Sequence, residues 1–96
     1  EIELKDTKLN LQNNFYILKN NIVDLEELVA VREKYLKALE TQAEIVSIKY
    51  TNGIANYYDW YQTEESYINM QKNLLNLKEE LMSKKIELKK FLGDTE

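Results

Sequence analysis

Proline, cysteine and histidine are all absent from this chain, and glycine occurs only at Gly53 and Gly93. Without proline, no residue removes a backbone donor or forces a kink inside a helix. Without cysteine there are no disulfides and no thiol nucleophile. Without histidine there is no imidazole base, and the usual zinc and copper sites go with it. No run approaches the roughly 18 apolar residues that mark a membrane-spanning helix. A basic excess is lacking too: 13 Lys and Arg stand against 17 Asp and Glu, the net charge is −4, and the two signs are interleaved. Nucleic acid is therefore not an expected partner, because binding it needs a concentrated basic face.

What remains is 44% hydrophobic and 31% charged residues over 96 positions, the composition of a chain with little to interrupt a helix. One break stands out at Thr51-Asn52-Gly53, where Asn and Gly tolerate the positive φ of a reversal. In the first arm Leu4, Leu11, Phe15, Leu18, Ile22, Leu25, Val29, Leu36, Leu39, Ala43, Val46 and Tyr50 recur at alternating steps of three and four, interrupted only by Lys8 and Arg32. In the second arm Trp60, Tyr67, Met70, Leu74, Leu77, Leu81, Leu88 and Phe91 do the same, with Thr63 and Lys84 as exceptions. Both are heptad seams.

The expected fold is all-α: a long antiparallel two-helix coiled-coil hairpin forming one domain over 1–96. A helix spans about 7–51, a turn 52–55 and a second helix about 56–92. At ~1.5 Å per residue the helices would be roughly 65 and 55 Å long. The alternation in Glu1-Ile2-Glu3-Leu4 is too short to assign. Asp59, Glu64 and Glu65 near the start of the second helix, and Lys84, Lys85, Lys89 and Lys90 near its finish, complement the helix dipole. Gly93 is expected to cap that helix, and Asp94-Thr95-Glu96 to leave it.

Apolar residues also lie outside the seams: Ile17, Val23, Leu28, Val31, Ile45 and Ile48 on one arm, Ile68, Leu75, Met82 and Ile86 on the other. Two helices alone cannot cover them, so packing against further helices is expected. A helix lying on a membrane surface is disfavoured by the acidic balance. Arg32 is expected to set register, by snorkelling or by pairing with a Glu on a neighbouring helix. Catalysis is not expected: no Gly-rich loop, His or Cys accompanies the carboxylates, and Glu-x-x-Glu spacings without His do not make the di-iron pattern of helical bundles. No metal or cofactor is implied.

The stretch Lys49-Tyr50-Thr51-Asn52-Gly53-Ile54-Ala55-Asn56-Tyr57-Tyr58-Asp59 resembles the Tyr-x-x-Gly turn of the TolC-type outer-membrane efflux family. The close at Leu88-Lys89-Lys90-Phe91-Leu92-Gly93 is similar to that family's Leu-x-x-x-Leu-Gly, at a matching distance from the turn, so the resemblance covers nearly the whole chain from about Thr7. The chain departs from the pattern at Gln62, where the family commonly has a second Asp, and at Ala55, just past Gly53, where a family Arg near the turn has no counterpart.

The resemblance implies one hairpin of a trimeric α-barrel, excised from a chain of several hundred residues that sits in the outer membrane of a Gram-negative bacterium with this segment in the periplasm. The implied function is structural: a tunnel wall that docks on a periplasmic adaptor (membrane fusion) protein working with an inner-membrane pump. Contact with the adaptor falls to Tyr50, Thr51, Asn52, Gly53, Ile54 and Ala55, and narrowing of the entrance to Asp59. An Asp there is also favoured by the helix dipole alone. Six of the ten aromatic residues lie between 50 and 67. Tyr57, Tyr58, Trp60 and Tyr61 among them are either a contact surface or filling for the gap where two helices splay. The alternative to a conduit is a self-assembling hairpin, bundled with other copies as an adhesin or filament subunit.

Overall fold

Nothing in the first half of the chain interrupts backbone hydrogen bonding, and the computed structural model carries one helix, α1 (Ile2–Thr51), across it. A second helix, α2 (Tyr57–Thr95), returns alongside. The structure describes residues 2–95, with side chains from 7 to 93. Glu1 and Glu96 lie outside the described residues, as does the side chain of Leu4, the first expected seam position. The fold is an all-α antiparallel hairpin, a rod measuring 76 × 18 × 17 Å.

The heptad reading of the core holds over the middle of α1 and along α2, and fails at Lys8, Leu11 and Tyr50, which are exposed. Every seam position from Phe15 to Val46 on α1, Arg32 included, is buried or half-buried, and so is every seam position from Trp60 to Phe91 on α2, Thr63 and Lys84 included. Leu18, Ile22, Val29, Ala43 and Leu74 are the most enclosed. Outside the seams only Ser47, Glu64 and Ala55 escape full exposure among the described side chains. At the seam's margins Leu11 and Tyr50 are already open to solvent.

Register is legible in the pairs that cross the interface. Glu33 meets Lys78 at 3.2 Å and Glu26 meets Lys85 at 3.3 Å, one heptad apart on each helix and flanking the seam as charged pairs do in coiled coils. Phe15 stacks on Phe91 with ring centroids 6.1 Å apart, which places the end of α2 beside the second to fourth turns of α1. The start of α1 therefore runs past the end of α2. Arg32 keeps its stem in the seam, and its Nε is shielded from solvent without a hydrogen-bond partner among the described residues.

The ends differ from expectation. α1 starts at Ile2 rather than near Thr7, so the strand-like alternation of the first residues is helical: no strand exists among the described residues to pair with it, whereas each residue added to an existing helix gains a backbone bond. Gly93 is not a cap. It lacks a positive φ, and α2 continues through it to Thr95, so Asp94 and Thr95 do not leave the helix. Helix continuation through glycine costs only about 1 kcal/mol relative to alanine, and no proline comes after it to stop the helix. The last turn of α2 consequently contains no basic residue; Lys89 and Lys90 precede it.

Packing rather than charge should hold the hairpin closed. Leu74→Ala is expected to cost about 2–4 kcal/mol, in line with other buried Leu truncations. Lys85→Glu, which breaks an exposed pair, should cost less than about 1 kcal/mol. Urea unfolding followed by far-UV circular dichroism checks both, and equal losses would show that the ion pairs carry the seam.

Candidate functional site at the hairpin tip

The tip is built by two complementary caps. At the end of α1, Ile54 N donates to Lys49 O (2.8 Å) and Gly53 N to Tyr50 O (3.1 Å), the paired bonds of a Schellman motif. The motif requires a left-handed residue, and Gly53 supplies it at φ 74°. Ile54, the residue that often folds back on the helix in this motif, instead stands 74% exposed at the apex. At the start of α2, Asn56 is the N-cap: its Oδ1 accepts from Asp59 N at 2.8 Å, and its carbonyl accepts the first helical bond, from Trp60 N. Asn56 is thus part of the connection rather than of the helix, and the turn is one residue longer than expected.

Aromatic rings then close the joint. Tyr50 on α1 stacks on Trp60 of α2, centroids 5.3 Å apart and planes 18° from parallel. Tyr57 lies 5.8 Å from Trp60 and 6.1 Å from Tyr61, the latter stacked. The rings both fill the splay and leave a surface: Trp60 is half-buried, while Tyr50, Tyr57 and Tyr61 each keep an exposed face. Tyr58 is not in this cluster. It projects into solvent, and its hydroxyl accepts a hydrogen bond from Gln62 Nε2 at 2.7 Å.

A polar node that joins the two helices beside the seam sits just below. Trp60 Nε1 donates to Ser47 Oγ (3.1 Å), and Ser47 Oγ donates in turn to Glu64 Oε1 (3.2 Å), so a tryptophan in an apolar line finds its partner on the opposite helix. Sequence reasoning did not single out Ser47. The available signal was that a seam tryptophan needs an acceptor, and Ser47 lies one residue past the seam position Val46, at the height of the turn. Ser47 O also accepts from Thr51 Oγ1 at 2.9 Å, tying the last turn of α1 to the same residue.

The other expected site residues spread over the apex. Thr51, Asn52 and Gly53 are exposed and act mainly through the backbone that reverses the chain. Ala55 and Asp59 line an open groove with Lys49, Ile54, Gln62 and Thr63, on a separate side from the stacked rings. Asp59 is exposed, and its backbone N–H is the group satisfied by the Asn56 cap.

Among the described residues no group of His, Cys, Asp or Glu is arranged to hold a metal ion, and no helix is long and apolar enough to cross a membrane. No family model matches the chain, and no curated protein or solved structure matches it either.

Ser47→Ala removes the acceptor of a half-buried indole and the donor to Glu64. The expected cost is about 1–2 kcal/mol, with a shift in the emission of Trp60, the only tryptophan. Unaltered stability and emission would show that water replaces the serine hydroxyl without loss.

Proposed function

We propose that this hairpin is a wall segment of the periplasmic tunnel of a TolC-type outer-membrane efflux or secretion protein, with its tip docking on a periplasmic adaptor. The observation that carries the reading is a second set of apolar ridges left over once the seam has closed. On α2 Tyr61, Ile68, Leu75 and Met82 recur every seven residues and are exposed; on α1 Leu9, Tyr16 and Val23 form one exposed heptad line, and Ile17, Val31 and Ile45 recur at twice that interval with Asp24 and Ala38 between them. These repeats share the period of the seam, so they suit a further helix on another side of each arm. The accessible surface of 7794 Å² exceeds by about 2,000 Å² the roughly 5,800 Å² of a compact monomer of this size. That surplus, on one chain, is more than twice the roughly 800 Å² that each partner contributes to a standard protein–protein interface. A barrel in which each helix touches two neighbours covers such faces.

The tip supports the docking half of the proposal. Gly53 takes the left-handed conformation expected of a glycine at a reversal, and Ile54 is presented outward rather than tucked against α1. In the full-length protein the reading places a homotrimer in the outer membrane of a Gram-negative bacterium, with this segment in the periplasm, Asp59 near the entrance and the cargo chosen by an inner-membrane pump. The self-assembling filament draws on the same ridges, and light scattering separates the two: open-ended growth of the isolated chain with concentration favours the filament, small bundles the conduit.

Docking is tested at the apex. The chain has no cysteine, so Ile54→Cys in the full-length protein adds the one attachment point within this segment, and cross-linking is expected to trap the adaptor there. Gly53→Val places a Cβ where nothing lies within 4 Å, so its main cost is the left-handed backbone itself, at least about 1–2 kcal/mol for a β-branched residue. Helicity should largely survive while export falls. Export at the unmodified level in Gly53→Val would remove the docking claim.

A further inference from the structure

The residue pair that reverses the chain is also its one Asn-Gly sequence. The geometry points to Asn52-Gly53 as a site of spontaneous covalent ageing. The Gly53 nitrogen attacks Cγ of the Asn52 side-chain amide; a C–N bond forms, the Cγ–Nδ2 bond breaks and ammonia leaves, taking up the proton that Gly53 N gives up. The five-membered succinimide that results is opened by water at either carbonyl, giving aspartate or isoaspartate. Amide and water go in, carboxylate and ammonium come out, and no oxidant or reductant is involved.

Three observations single out this asparagine. Glycine at 53 leaves the approach to its own nitrogen unobstructed, with nothing within 4 Å of where a Cβ would stand. Every other asparagine in the chain precedes a residue that carries a Cβ. Asn52 is exposed at the apex, and its side-chain amide has no hydrogen-bond partner among the described residues, whereas Asn56, the other asparagine of the turn, is held by its capping bond to Asp59 N. All the remaining asparagines lie within α1 or α2, where rigid helical backbone keeps side chain and following nitrogen apart.

The Schellman turn acts as a brake. Gly53 N–H is engaged with Tyr50 O at 3.1 Å, so attack requires that bond to open, and the rate tracks local opening of the tip rather than unfolding of the rod. The products differ physically from the starting turn. Either one places a negative charge immediately after the last residue of α1, where the helix dipole disfavours anions. Isoaspartate also routes the main chain through the former side chain, adding a methylene immediately before the left-handed glycine. An aged tip is therefore a different surface from a new one, whichever partner it meets.

The test is a timed incubation of the 96-residue chain at mildly alkaline pH, alongside its Asn52→Gln variant and a free peptide spanning residues 49–55. Peptide mapping by mass spectrometry locates amide-to-acid conversion, and labelling by an isoaspartyl-specific methyltransferase identifies the rearranged product. Conversion at Asn52 should exceed that at all other asparagines combined, run slower than in the free peptide, and lose its label in Asn52→Gln. Conversion spread over the helical asparagines, or none at Asn52 once the peptide has fully converted, would overturn the assignment.

Discussion

A single line of side-chain contact between two helices holds this molecule together, and the narrowness of that line governs the remaining features. Each helix offers the other one residue in every three or four. Among the described side chains only Leu18, Ile22, Val29, Ala43 and Leu74 become well enclosed. A core this thin cannot tolerate slippage, since moving one helix by a residue would rotate its apolar positions out of the seam. Register is therefore specified repeatedly: by the tight closure at Gly53, by Ser47 receiving the Trp60 indole, by the charged pairs along the flank and by Phe15 against Phe91 at the open end.

The seam was legible because burial on a long helix has one dominant period, and no residue type in the chain competes with it. Even its polar members, Arg32, Thr63 and Lys84, occupy the places their spacing assigns. The turn was legible for a related reason: Asn-Gly is a local signal whose conformation does not depend on distant packing. The helix ends were harder. A glycine is compatible with both a cap and a continuing helix, and at Gly93 the choice is made by its C-terminal neighbours, neither of which stops the helix. The Ser47, Trp60 and Glu64 node was invisible to periodicity because it joins positions on two helices whose relative rotation emerges only after the seam closes. The same rotation separates Tyr58 from the other tip aromatics, although it is their neighbour in sequence.

The tip concentrates the features that distinguish this hairpin from a generic coiled coil. Its backbone is over-determined by caps on both sides, yet its side chains point outward: Ile54, Tyr57 and Tyr58 are among the most exposed large residues of the chain. Rigid main chain under exposed, amphipathic side chains is a combination suited to recognition, because little ordering remains to be done when a partner arrives. The flanks, with their repeating apolar ridges, suit lateral packing instead. Two surfaces of different character on one rod suit the proposed role, in which neighbours hold the hairpin sideways and a partner meets its tip.

The means of closure also change along the rod's length. At one extremity the helices are covalently joined, aromatically stacked and pinned through Ser47; at the other, α1 runs past the end of α2, and Leu9 and Leu11 stand open. Thermal opening therefore has a direction, travelling like a zipper from the free ends toward the bend. The bend acts as a staple that keeps the two arms aligned for reclosure, so the helices part last beside the bend, whatever local opening the turn itself undergoes.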